Sequence, residues 1–117
     1  MANELSVYTT FSYNKDSASF NLSAQNQVTV GTNAFINSLV DVTTTDVAID
    51  LGPVSSIGYV YIQNLDDTNF VQIGPDGSSY FIKLLPKEVA VFRSNVSALH
   101  LVADTATCTV QYAVVSN

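Results

Sequence analysis

One histidine, one cysteine and ten acidic residues are what this chain of 117 residues offers to acid–base, nucleophilic or metal chemistry. His100 lies in Leu-His-Leu-Val, a strand pattern, and no nucleophile-elbow motif accompanies it, so it reads as a structural or interface histidine. Cys108 shares a strand face with Val110, Tyr112 and Val114, which makes it a small core hydrophobe. A reactive thiolate needs a neighbouring cation or a helix N-terminus, and the sequence around Cys108 supplies neither. One His and one Cys cannot complete a zinc site of the usual ligand set. Asp66, Asp67 and Asp76 sit on turns at the two ends of one short strand, about 15–20 Å apart, too far for one calcium ion. They read as turn residues that hydrogen-bond their own backbone. Adjacent Asp66 and Asp67 point apart, so they do not make the facing carboxylates of a glycosidase. No glycine-rich loop precedes a helix to cradle phosphate. Tyr59 and Tyr61 share a strand face, where packing or an interface is the expected role. The expectation is a protein that binds or builds, not an enzyme, with no catalytic residue, no cofactor and no metal.

The elements that position these side chains are strands, because the hydrophobic period is two almost everywhere. Leu5, Val7, Thr9 and Phe11 alternate with polar neighbours, as in a half-buried strand. Asn14-Lys15-Asp16-Ser17 is a turn, after which Ala18, Phe20, Leu22 and Ala24 face one way. Residues 28–30 read as a short strand closed by Gly31, and 34–42 as a strand on β-branched content. Val47, Ile49 and Leu51 alternate with Asp46, Ala48 and Asp50, and Gly52-Pro53 ends that strand. The apolar run 57–65 reads as a central strand covered on both faces. Turns around Asp66, Asp76, Lys87 and Asp104 then separate strands at 69–73, 80–85, 89–93, 99–103 and 107–115. No capped helical pattern occurs. The spacing predicts an all-β fold, an antiparallel β-sandwich, jelly-roll-like, forming one domain over 1–117. The terminal strand within 1–13 is expected to pair at a sheet edge or to act as an arm on a neighbour, with Met1 docked.

Composition narrows the partners. Charged residues are 12% of the chain, about half the usual share, and a surface so lean in charge is expected to be covered by other subunits. A net charge of −6 argues against nucleic acid and against an anionic membrane. No window approaches the ~18 apolar residues of a membrane span, and the first residues lack the pattern of a secretory signal. A single cysteine excludes an intramolecular disulfide.

The stretch Gly58-Tyr-Val-Tyr-Ile-Gln-Asn-Leu-Asp-Asp-Thr-Asn-Phe-Val-Gln-Ile-Gly74 resembles a segment of small tailed-bacteriophage virion proteins. Residues 84–93 (LLPKEVAVFR), residues 103–112 (ADTATCTVQY) and the opening Met-Ala-Asn-Glu-Leu-Ser are similar to the same set, with Lys87 where the pattern has Gly. Asn64 and Asn69 would hydrogen-bond the backbone of the turn between them, and Glu88 and Arg93 read as rim ion pairs. The resemblance implies a capsid decoration (cement) protein. Such a protein is a homo-oligomer, here expected to be a trimer, that binds the major capsid protein on the outer surface of the head. It would be located in the virion and made in the host cytoplasm, not secreted. The alternatives are a phage tail or fibre module that binds a host receptor or glycan, and a head-completion or tail-tube component.

Overall fold

The computed structural model describes residues 3–117, so the docking expected of Met1 lies outside the described residues. The fold is all-β, with ten strands and no helix among the described residues. Where the sequence reads as one domain, the chain separates into two compact units that divide after Gly31.

The first unit is one hairpin. Strands β1 (Leu5–Lys15) and β2 (Ala18–Val28) pair antiparallel along their whole length, from Leu5↔Val28 to Lys15↔Ala18. Asp16 and Ser17 both take positive φ, 48° and 74°. That is the backbone of a two-residue turn whose twist matches the strands it joins. The short strand expected at 28–30 does not form: Val28 ends β2, and Thr29 and Val30 lie in no strand. The half-burial expected of β1 is not found beyond Val7, because Tyr8 to Lys15 are all exposed.

The second unit is a sandwich of two packed four-stranded sheets. Its strands are β3 (Phe35–Val42), β4 (Val47–Ala48), β5 (Ile57–Asn64), β6 (Val71–Gly74), β7 (Ile82–Leu84), β8 (Val89–Arg93), β9 (His100–Ala103) and β10 (Cys108–Ser116). One sheet has the order β3-β10-β5-β8 and the other β4-β9-β6-β7. Every pairing is antiparallel. The pairs β3·β10, β4·β9, β5·β8 and β6·β7 are nested, as in one long hairpin, and β10·β5 and β9·β6 appear where that hairpin wraps on itself. Alternate residues from both sheets meet in one core that includes Val42, Val60, Ile62, Ile73, Leu101 and Val114. Cys108, Val110, Tyr112 and Val114 are buried on one side of β10, as their spacing predicts.

The run at 57–65 differs from expectation. Gly58, Val60, Ile62 and Asn64 are buried, but Tyr59 is half-buried and Tyr61 exposed, so β5 is covered on one face only. Tyrosine can end an apolar run in water because its hydroxyl stays solvated; that of Tyr61 donates to Gln63 Oε1. The glycines at the ends of this region are fixed by close approach of backbone. A Cβ on Gly74 would lie 1.7 Å from Ser79 O, and one on Gly58 2.8 Å from Ser116 O, beside the irregular register where β5 meets the end of β10.

Between β5 and β8 the turns are tied to one buried side chain. Asn64 Nδ2 donates to Asn69 O (2.9 Å) and Leu84 O (3.2 Å), and Asn64 Oδ1 accepts from Asp66 N (3.0 Å). Lys87 N–H donates to Asn64 O, and Asn64 N–H to Glu88 O. To make both bonds the chain turns sharply at Lys87, whose φ is +70°. This is the left-handed region, which costs a residue with a Cβ about 1–2 kcal/mol. Lys87→Gly and Lys87→Ala both lose the ammonium contacts to Leu65 O and Asp67. The glycine variant is therefore expected to be the more stable of the two by about 1 kcal/mol in urea unfolding. Equal stabilities would contradict the strain at this position.

Candidate functional site

The register that sends one side of the β3-β10-β5-β8 sheet into the core fixes what the other side shows to solvent. Leu39, Gln111, Gln63 and Val89 form one row across it, and Asn37, Ala113, Tyr61 and Val91 the next. Phe35 lies beside Val115, and Tyr59 beside Arg93. Phe35 and Leu39 are 61% and 60% exposed, and Val89 and Val91 49% and 45%, large fractions for apolar side chains in regular strands. The charges that border the face are engaged, Lys87 with Leu65 O and Asp67 at one edge and Asp41 and Arg93 elsewhere. Asp41 Oδ1 accepts from Thr109 Oγ1 (3.2 Å). The Arg93 guanidinium lies 4.8 Å from the centre of the Tyr59 ring and donates to Asn117 Oδ1 (3.1 Å). Four strands of this length span roughly 20 by 25 Å, or about 500 Å² in plan. Its apolar side chains alternate with Asn37, Gln63 and Gln111, so the face is mixed, apolar and neutral polar. The other sheet is different outside: Lys83 sits over the Phe70 ring at 4.2 Å, and His100 pairs with an aspartate.

That aspartate, Asp46, is the residue sequence reasoning missed. His100 Nδ1 donates to Asp46 Oδ2 (2.6 Å), and the Tyr80 hydroxyl donates to Asp46 Oδ1. Partial burial pushes the Asp46 carboxyl up, but the bonds from Tyr80 and His100 outweigh it and hold the carboxyl below its ordinary value. The same carboxylate, with lesser help from burial, pushes the Tyr80 phenol up to about 12. Asp46 lies 54 residues from His100 and 34 from Tyr80 in the chain, so no local motif could have joined them. What the cluster does chemically is to clamp the lead into β4 to β9 and to the segment before β7.

The remaining candidates stand apart from one another. Asp66 Oδ2 accepts from the N–H groups of Asn69 and Thr68, which hold its carboxyl below the ordinary range. Asp76 Oδ1 accepts from the N–H and hydroxyl of Ser78 and the N–H of Ser79, with the same result. Asp67 pairs with Lys87 at 3.0 Å in solvent, where such pairs contribute little. Cys108 is buried and unpaired, and burial pushes its thiol up, away from the reactive thiolate. Among the described residues Glu88 and Arg93 do not make the expected ion pairs. The Glu88 carboxylate accepts from Leu85 N–H (2.8 Å), and Arg93 is taken by Tyr59 and Asn117. Among the described residues no group of three or more His, Cys, Asp or Glu is placed to hold a metal ion.

One cavity of about 350 Å³ opens beside Ile73, Phe81, Phe92, Val96 and Leu99, and its lining is almost wholly apolar. Comparison with protein-family models, with curated proteins and with solved structures found no match for this chain.

The Tyr80–Asp46 bond has a testable pH signature. An unfolded tyrosine releases its proton near pH 10, whereas folded Tyr80 keeps it to about 12. The folded state therefore holds the extra proton in that window. Stability from this bond is fully present below pH 10 and is lost as pH rises toward 12. Melting temperatures of the native chain and of Tyr80→Phe, taken from pH 9 to 12, are expected to converge across the window. A gap that stays constant would show that the bond to Asp46 does not hold the phenol proton.

Proposed function

We propose that this chain is a non-enzymatic capsid decoration protein of a tailed bacteriophage, a homo-oligomer that binds the major capsid protein and stabilises contacts between its subunits. The observation that carries the reading is the charge-poor outer side of the β3-β10-β5-β8 sheet, with Phe35, Leu39, Tyr61, Val89 and Val91 exposed and the charges Asp41 and Arg93 toward its ends. A stable interface takes about 800 Å² from each partner, and this side alone offers on the order of 500 Å². A flat surface of this kind grips by area, and many copies on a repeating shell multiply a modest single contact. The nested strand pairing supports a finer description of the sandwich as a jelly roll, eight strands wound as two Greek keys. The resemblance of residues 58–74, 84–93 and 103–112 to virion proteins supports the setting, a trimer on the outside of the head.

A tail or fibre module that binds a host glycan is the second reading. A sugar needs convergent hydrogen-bonding groups, and the apolar cavity beside Phe81 offers few, which favours the first reading.

The test is co-sedimentation with shells assembled from the phage's major capsid protein. Leu39→Asp and Val91→Asp place a charge on the exposed face without touching the core. Each is expected to weaken binding by about thirtyfold, ~2 kcal/mol, the effect of losing a central contact. Ala48→Asp, exposed on the other sheet, is expected to bind as the native chain does. Native-like binding by both Leu39→Asp and Val91→Asp would rule this face out as the docking surface.

A further inference from the structure

The β1–β2 hairpin is an amphipathic ribbon. Its register puts Phe11 opposite Leu22, Tyr13 opposite Phe20 and Thr9 opposite Ala24 on one side. On the other side Ser12 faces Asn21 and Thr10 faces Ser23. The apolar side is organised: the Phe20 ring lies 5.6 Å from both Phe11 and Tyr13. It is also open, with Phe11 and Leu22 each 62% exposed, Tyr13 47% and Phe20 45%. A lone two-stranded hairpin is marginal in water, and one with two free edges and almost no charge invites pairing.

We propose that this apolar side is the surface through which copies of the chain associate, packing against the same side of a second copy's ribbon. The inference rests on the homo-oligomeric reading above and names its contact. Three observations select a second copy as the occupant. The first is charge. Residues 1–31 hold only Glu4, Lys15 and Asp16, at the base and tip of the ribbon, while the rest of the chain carries a net −5. Copies that repel one another over most of their surface meet with least repulsion at the ribbon. An acidic or basic partner, by contrast, would find only Lys15, at the tip, on the apolar side. The second is area. An aromatic ring buries about 150–250 Å², so three rings roughly half exposed, with Leu22, leave about 400 Å² per copy. With the small flanking residues, two copies together reach on the order of 1,000 Å², the threshold of a specific interface. The third is geometry. The opposite side is polar but for Tyr8, which faces Gln25, so the continuous apolar surface lies on one side, and ribbons turned toward a common axis on that side close into a finite set.

The experiment uses the full chain. Sedimentation equilibrium gives the native mass against 12.6 kDa for one copy, and cysteine cross-linking locates the contact, since native Cys108 is buried. Ala24→Cys, on the apolar side, is expected to form a disulfide between copies under mild oxidation, and Ser23→Cys, on the polar side, is not. Phe11→Lys, at an exposed position, is expected to bring the mass down to one copy, and Thr10→Lys to leave it oligomeric. An oligomer that survives Phe11→Lys, or that cross-links equally at residues 23 and 24, overturns the ribbon contact but leaves the homo-oligomer standing. A native chain with the mass of one copy overturns both.

Discussion

The side-chain amide of Asn64 is buried in the sandwich and ties the β5–β6 connection and the end of β7 together with three hydrogen bonds. Its Nδ2 joins carbonyls at Asn69 and Leu84, and its Oδ1 takes the N–H of Asp66. A buried amide is tolerated only when both ends are satisfied, so the turns on either side must come to it. Asp66 then caps the N–H groups of Thr68 and Asn69, which aims the chain into β6. Lys87 accepts a left-handed backbone so that its N–H reaches Asn64 O. An aspartate at 64 would set carboxylate oxygens against two carbonyls, and a leucine would strand the Asp66 N–H. No residue but asparagine meets both demands, and the placement of β6, β7 and β8 follows from it.

Once the turns are fixed, period-two alternation settles what faces where. The same register that fills the core with Val60, Ile62, Val110 and Val114 leaves Tyr61, Val91 and Leu39 outside. The outer side has no charge to spare, since Arg93 is spent on Tyr59 and Asn117, and Asp41 on Thr109. The opposite sheet carries its ionisable groups on its outer side, where His100 and Tyr80 bond to Asp46. A surface so distributed suits a molecule that is covered over much of its area, as the proposed decoration role requires.

Much of this was legible in the residues. The alternation around Cys108 foretold its burial, and Asp66 and Asp76 cap their own turns as short acidic side chains in such positions do. Other features were out of reach for physical reasons. The run at 57–65 could not reveal an open face, because tyrosine is at home on either side of a boundary. Asp46 looked like a strand residue alternating with Val47, since its partners lie far along the chain. Glu88 and Arg93 were read as ionic because both are charged, but a nearer N–H and a neighbouring ring claimed them first. In β1 the pattern said that one side wants cover without saying what supplies it; its hydrogen-bonding partner turned out to be β2.

The central claim, that this is a protein of the capsid surface which works by covering area, is tested most directly by counting its copies in purified particles. Quantitative mass spectrometry against the major capsid protein of the same virions gives that ratio. Hundreds of copies per particle, in fixed proportion to the capsid subunits, are the result this account predicts. A handful of copies per particle would place the chain in the tail and contradict it.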